Sequence, residues 1–347
     1  MMRRSINILK INPKLVLIVC LIPVFFLSLS CKTYKTFKIN VLEPAEIIVP
    51  QNIKHILIAP NNKLHSNGLT YEFYDEKYID TSFNQKEYIG ATIESLADMI
   101  SYNPRFTTTT IESLEIALPV LPEEITNRDV NYLKQLCEEH QADAIVILAK
   151  TEKQVGYSKY YGHFGGYFSM ITIIYNTRWM FINPFAPIMI DHKNIRDTLY
   201  YRVGGIYGTL DPEFYQFVGE LMMETTDYVA SDYGMRITPH FAETQRIVFN
   251  KGDKYLKKGF SEAESGNWVK ASEIWQKTLS YNNPVIVSRG AFNIALSNEM
   301  EGNLKLAADW AEVSYDIFPD TINKTYLDIL QERIRQQDDL MKQMDGP

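Results

Sequence analysis

The chain has 347 residues, a net charge of −7, 46 % hydrophobic and 12 % aromatic residues. That composition specifies a globular body and not a disordered one, and the acidic balance argues against a nucleic-acid binder, which would carry a basic face. The length suits two domains, and three cysteines leave no internal disulfide once the N-terminal segment is considered.

Met1 to Lys14 carries Arg3, Arg4, Lys10 and Lys14 without an acid, and Leu15 to Ser30 is almost wholly apolar. A positive start, a short apolar stretch and small residues before a cut site describe a secretory signal peptide over residues 1–30. The apolar run is shorter than the about 20 residues a spanning helix needs. Leu27-Ser28-Leu29-Ser30-Cys31 resembles the lipobox of bacterial lipoproteins, which implies a lipid on Cys31 and a membrane anchor. No Asp follows the cysteine and no acidic cluster stands beside it, so neither the inner-membrane retention signal nor the surface-export signal of Bacteroidota lipoproteins is matched. By that resemblance the expected location is the outer membrane, periplasmic side. Residues 31–50 then read as a tether, with Phe37, Ile39 and Val41 alternating as in a short strand.

An α+β or α/β domain is expected over 51–241. His55 to Ala59 is a continuous apolar run ended by Pro60, as in a buried strand. Asn84 with Glu87 marks a helix start, and Ile89, Ile93, Leu96 and Ile100 recur at helical spacing. Arg105 to Ile111 reads as a strand. A second helix is expected from an N-cap near Asn127, with Val130, Leu133, Leu136 and Cys137 inward, leading into a strand at Ala144 to Leu148. Helices packed on a mixed sheet follow from that order. The pattern resembles the small α/β domains of envelope assembly proteins, including the curli secretion lipoprotein and the N-terminal domain of the Tol-system periplasmic protein. The stretch from Gly156 to Tyr167 reads either as a hairpin connection or as a tyrosine-rich binding loop with His163. Ser169 to Ile182 and Ile188 to Arg202 form an expected antiparallel pair. A helix from Asp211-Pro212 has Phe214, Phe217, Val218, Leu221, Met222, Thr225, Tyr228 and Val229 on one face.

From about Thr244 the chain is expected to be all helical, giving a repeat module over 242–340. Gly266-Asn267-Trp268 recurs as Gly302-Asn303-Leu304, and Ala271 recurs as Ala307. Tyr255, Gly259, Trp275, Ala295 and Ala307 occupy the aromatic and small positions, so the segment resembles a pair of tetratricopeptide repeats. The resemblance implies a partner groove at Leu256, Phe260, Arg289, Phe292, Asn293 and Leu296, and another envelope protein as the partner. The whole layout resembles an uncharacterised Bacteroidota lipoprotein family with tetratricopeptide-like ends.

No metalloprotease, hydrolase-elbow, phosphate-loop or Cys-x-x-Cys pattern occurs. The histidines stand singly, without metal-ligand spacing. No metal, cofactor or catalytic residue is assigned, and a non-enzymatic adaptor is expected. The alternatives are a glycan- or nutrient-binding lipoprotein of an uptake system and a hydrolase whose site has no motif.

Overall fold

The computed structural model describes residues 33–62, 64, 69–73, 76–80, 83–161, 166–186, 188–204 and 212–344. The signal peptide, Cys31 and His163 lie outside the described residues. The chain divides into two compact units. One comprises the residues from Val41 to Ala242 with those from Arg335, and the other comprises Glu243–Ile334 with the residues up to Asn40. The division falls within β1 (Tyr34–Glu43), within β9 (His240–Phe249) and within the last helix, α8 (Thr321–Met344).

The first unit is built on a seven-stranded mixed sheet. Its centre is β6 (Ala144–Tyr161), an 18-residue strand where the apolar run suggests only Ala144 to Leu148. The start of β6 pairs in parallel with β2 (His55–Pro60), which pairs in parallel with β5 (Thr107–Thr110). Further along, β6 pairs with β3 (Leu69–Phe73), whose hairpin partner is β4 (Glu76–Asp80). That hairpin lies between β2 and the first helix, where no strand is expected above, although Leu69, Tyr71 and Phe73 alternate with Thr70 and Glu72. On the other side, β6, β7 (Tyr167–Asn183) and β8 (Ile188–Gly204) form one long antiparallel ribbon. The glycine- and tyrosine-rich stretch is therefore mostly strand.

Helices cover the two faces unequally. Helix α1 (Gln85–Ser101) starts where Asn84 Oδ1 accepts the Glu87 amide at 3.2 Å. It packs with α3 (Pro212–Ile237) on one face, burying Tyr88, Ile93, Leu96, Phe214, Val218 and Val229 against Ile56, Val146, Ile171 and Ile173. Tyr228, expected on that buried face, is exposed. Helix α2 (Asn127–Glu139) packs Leu133 and Cys137 against Ile145, Ile147, Met180 and Ile182 on the opposite face. Its N-cap is Thr126, not Asn127: Thr126 and Asp129 close a reciprocal capping box, which satisfies two amides at once. The Cys137 thiol is buried in this apolar cluster, and burial with the Asp143 carboxylate nearby pushes its pKa up to about 12.

The second unit pairs β1 with β9 and stacks helices α4 (Lys254–Glu264), α5 (Trp268–Gln276), α6 (Pro284–Met300), α7 (Leu304–Ile317) and the first part of α8. Strand β9 corrects the expectation of helix from Thr244. The charged end of α8 is also not a free extension: Gln343 exchanges two hydrogen bonds with the Ala45 backbone, at 2.8 and 3.1 Å. Helices α4–α5 and α6–α7 are two hairpins with one turn geometry. Gly266 and Gly302 both have φ of 80°, and Asn267 and Asn303 follow with φ/ψ of −86/64° and −87/63°. A Cβ is disfavoured at that φ, which is why glycine recurs there.

Close helix approach requires glycine elsewhere in this unit. A Cβ on Gly259 would sit 2.3 Å from Trp275 Nε1, and one on Gly290 would sit 1.8 Å from Thr278 Oγ1. Thr278 is fully buried and its hydroxyl is tied to Trp275 O at 2.7 Å, so it has little room to yield. Gly290→Ala is expected to lower stability by about 1–3 kcal/mol through overpacking. Gly90→Ala, in open space within α1, should raise it by about 0.5–1 kcal/mol. Denaturation midpoints of the two variants, moving in opposite directions, check both.

Candidate functional site

Five of the six expected groove residues are core. Leu256, Phe260, Phe292, Asn293 and Leu296 are all buried, with Leu256, Asn293 and Leu296 at 0 % exposure. Asn293 ties α6 to the end of β9, donating from Nδ2 to Phe249 O at 2.7 Å and accepting the Phe249 amide at 2.9 Å. Phe292 packs its ring between Phe249 and Tyr326. Arg289 is half-buried, with its guanidinium 5.2 Å from the Phe249 ring centre. Phe292 and Asn293 are thus held by the end of β9, and Phe292 also by α8, and no local sequence signal announces either element there.

What lies nearby instead is an open cleft of about 270 Å³, lined by Gln245, Arg246 and Ile247 of β9, Phe292 of α6, and Ile322, Tyr326 and Ile329 of α8. Its walls are mainly apolar, and Arg246 stands at one end of a buried polar cluster. Arg246 Nε donates to both Glu299 carboxylate oxygens at 3.0 and 3.1 Å, Arg333 also pairs with Glu299, and the Tyr326 hydroxyl donates to Glu299 at 2.7 Å. The Glu299 side chain is 1 % exposed and that of Arg246 6 %. Burial raises the Tyr326 phenol well above its ordinary range, with Glu299 adding to the effect, so the hydroxyl remains a donor. Glu299 is in the last turn of α6, where the helix dipole disfavours a carboxylate. Two arginines and a phenol offset that cost. Sequence reading missed all four residues. The available signal was a lone acid, Glu299, ending an otherwise apolar helix.

In the α/β unit, Lys153, like Arg105, is a buried cation. It is 7 % exposed, donates to Gln85 Oε1 at 2.5 Å and has the Tyr88 ring centre 4.0 Å away. Desolvation pulls its pKa down to about 7. Tyr88 reaches Thr225 Oγ1 at 3.3 Å, and burial pushes its own phenol up to about 12. Tyr175 donates to Asp232. Lys153, Tyr88 and Tyr175 each have their own hydrogen-bond partner, Gln85, Thr225 and Asp232. Among the described residues, no group of three or more His, Cys, Asp or Glu is placed to hold a metal ion, and no helix is long and apolar enough to cross a membrane.

Two family models match the sequence. One, described as a domain of unknown function (DUF8603), covers residues 52–249, and a second, described as a domain of unknown function (DUF6340), covers residues 257–332. No curated protein matches. Among solved structures, a putative neuraminyllactose-binding hemagglutinin homolog from Helicobacter pylori is 12 % identical, covering 63 % of this chain and 94 % of that one, with a TM-score of 0.32. The PelC dodecamer from Paraburkholderia phytofirmans is 9 % identical, over 56 % and 96 %, with a TM-score of 0.22. Lipoprotein GNA1162 from Neisseria meningitidis is 10 % identical, over 49 % and 99 %, with a TM-score of 0.21. Likeness at this level assigns no function.

Proposed function

We propose that this chain, which belongs to the DUF8603 family of domains of unknown function by the match over residues 52–249, is a non-enzymatic adaptor of the cell envelope. In this reading a lipid on Cys31 anchors it to the outer membrane, facing the periplasm, and its C-terminal helix pairs hold another envelope protein. The anchor rests on the basic-then-apolar segment before Leu27-Ser28-Leu29-Ser30-Cys31.

The observation that carries the adaptor reading is the repeated hairpin. Gly266-Asn267 and Gly302-Asn303 make the same turn, α4 and α5 approach closely at Gly259, and α6 approaches the end of α5 closely at Gly290. We read this as a tetratricopeptide-like pair, and stacked helical pairs present extended surfaces for partners. With the expected groove residues buried, the surface available for contact is different. It comprises the cleft rim on α8, where Thr325 is exposed, and the outer side of α7, where Leu306 is 46 % and Val313 40 % exposed.

The test is site-specific photo-crosslinking in cells. A crosslinker replaces Thr325 or Leu306, and Tyr102 of the α/β unit, 88 % exposed, serves as the comparison site. Adducts to one envelope protein from Thr325 or Leu306 and not from Tyr102 are the expected result. Equal adducts from all three sites, or none, overturn the adaptor reading. Cys31→Ala should move the chain out of the membrane fraction, and unchanged fractionation removes the lipid anchor from the proposal.

A further inference from the structure

On the α2 side the ribbon β6–β7–β8 outruns the helix that covers its base, whereas on the α1–α3 side Phe214 still packs on Tyr157. Directly opposed residues in an antiparallel pair share a face. At the base, Ile145, Ile147 and Ala149 of β6 face the α2 side, and the apolar cluster there reaches no further than Ala149 on β6 and Met180 on β7. A register shift between Leu148 and Lys150 then changes the parity of β6. Beyond it, Val155 and Tyr157 face the α1–α3 side with Ile171 and Ile173. The other face carries Ser158 and Tyr160, opposed to Met170 and Phe168, with Arg202 opposed to Met170 and Tyr200 opposed to Thr172.

At the far end this face is an aromatic ladder with a cation. The Tyr160 and Phe168 rings stack at 5.4 Å and 18°, and the Arg202 guanidinium lies 4.3 Å from the Phe168 ring centre. Tyr160 is 48 % exposed and Tyr200 69 %. The opposite face at the same end presents Tyr161, 67 % exposed. Lys159 is exposed on the Tyr161 face. The sequence adds a charge pattern: in a chain with more Asp and Glu than Lys and Arg, no acid occurs from residue 153 to 190 or from 198 to 210.

We infer that this end of the ribbon seats in the headgroup layer of an anionic phospholipid bilayer. Tyrosine rings with an apolar body and a polar tip partition to that layer. Arginine and lysine there meet anionic headgroups, and no carboxylate on these segments opposes the approach. A docked protein would cover one face of the ladder, whereas a lipid surface engages both faces, and both carry exposed tyrosine. The inference concerns the α/β unit and does not rest on the adaptor reading.

The test uses the chain with Cys20→Ser and Cys31→Ser, so that no lipid anchor and no second reactive thiol contributes, and with an environment-sensitive NBD label on Tyr161→Cys or, for comparison, on Tyr102→Cys, Cys137 being buried. Vesicles of phosphatidylcholine with about 30 % phosphatidylglycerol carry doxyl-quencher lipids. Quenching at position 161 is expected to exceed that at position 102 by about twofold or more. It should fall in pure phosphatidylcholine, and the partition of the tip should weaken about fivefold for each of Lys159→Gln and Arg202→Gln. Both substitutions lie at exposed positions, so folding is retained. Equal quenching at 161 and 102 overturns the inference. Quenching at 161 that ignores lipid charge and both substitutions overturns the anionic specificity.

Discussion

Glu299→Ala is expected to cost about 3–5 kcal/mol and to loosen the helical unit before the α/β unit. Removing one partner of a buried ion pair leaves the other uncompensated. Here the orphaned groups are Arg246, 6 % exposed, the half-buried Arg333, and the buried Tyr326 hydroxyl. Arg246 keeps only Thr244 Oγ1 and Gln245 O, both at 3.2 Å and both neutral. Glu299→Gln keeps the shape and one acceptor but loses the charge, and should cost less, about 1.5–3 kcal/mol. Replacing Arg246 and Glu299 together by Met and Leu should recover most of the loss, because a buried pair is often no better than an apolar substitute. Tryptophan fluorescence during urea unfolding separates the units, since Trp268, Trp275 and Trp310 lie in the helical unit and Trp179 in the other. A Glu299→Ala midpoint within error of the parent would show that the cluster contributes nothing, and a double variant no better than Glu299→Ala would place the loss in packing instead.

That cluster marks where sequence reading reaches its limit. Elements with local signals are legible: Asn84 caps α1, Pro284 opens α6, and the glycines at 266 and 302 close helices. Alternation over Ile171, Ile173 and Tyr175 reveals the β7–β8 pair. Parts that depend on distant contacts are not legible. Strand β6 continues past Leu148 through Glu152, Lys153 and Gln154, because β3 and β7 flank it and a bulge resets its alternation. A period-2 reading cannot follow such a shift. Strand β9 carries Arg246 inward on a half-polar strand, and that placement makes sense only once Glu299 is beside it. The burial of Phe292 has the same origin: it is an apolar helix position, but the rings that flank it, Phe249 of β9 and Tyr326 of α8, come from elsewhere in the chain.

Lys153→Met is the substitution expected to stabilise the α/β unit, and its effect should depend on pH. Lys153 has an ordinary pKa of 10.5 in the unfolded chain and about 7 in the folded one, because burial disfavours the ammonium. Between about pH 7 and 10.5 the unfolded chain binds a proton that the folded chain does not, so stability rises with pH across that window. Below about pH 7 both states are protonated and the folded state carries the full desolvation cost. At 1.36 kcal/mol per pKa unit, that cost has an upper bound of about 5 kcal/mol. The Tyr88 ring 4.0 Å from Nζ and the Gln85 Oε1 acceptor offset part of it, since both favour the ammonium. Methionine fills a similar volume without a charge, but it leaves the Gln85 oxygen without its donor, at about 1–2 kcal/mol. The expected net gain is therefore about 2 kcal/mol at pH 6. It should shrink as the pH rises and vanish by about pH 10, where the parent amine is neutral and still bonded to Gln85. Urea unfolding of parent and variant at pH 6, 8 and 9.5 measures this directly. Converging curves support an amine buried at a cost, whereas parallel curves would mean that Lys153 keeps its ordinary pKa in the fold, with Tyr88 and Gln85 fully compensating the burial.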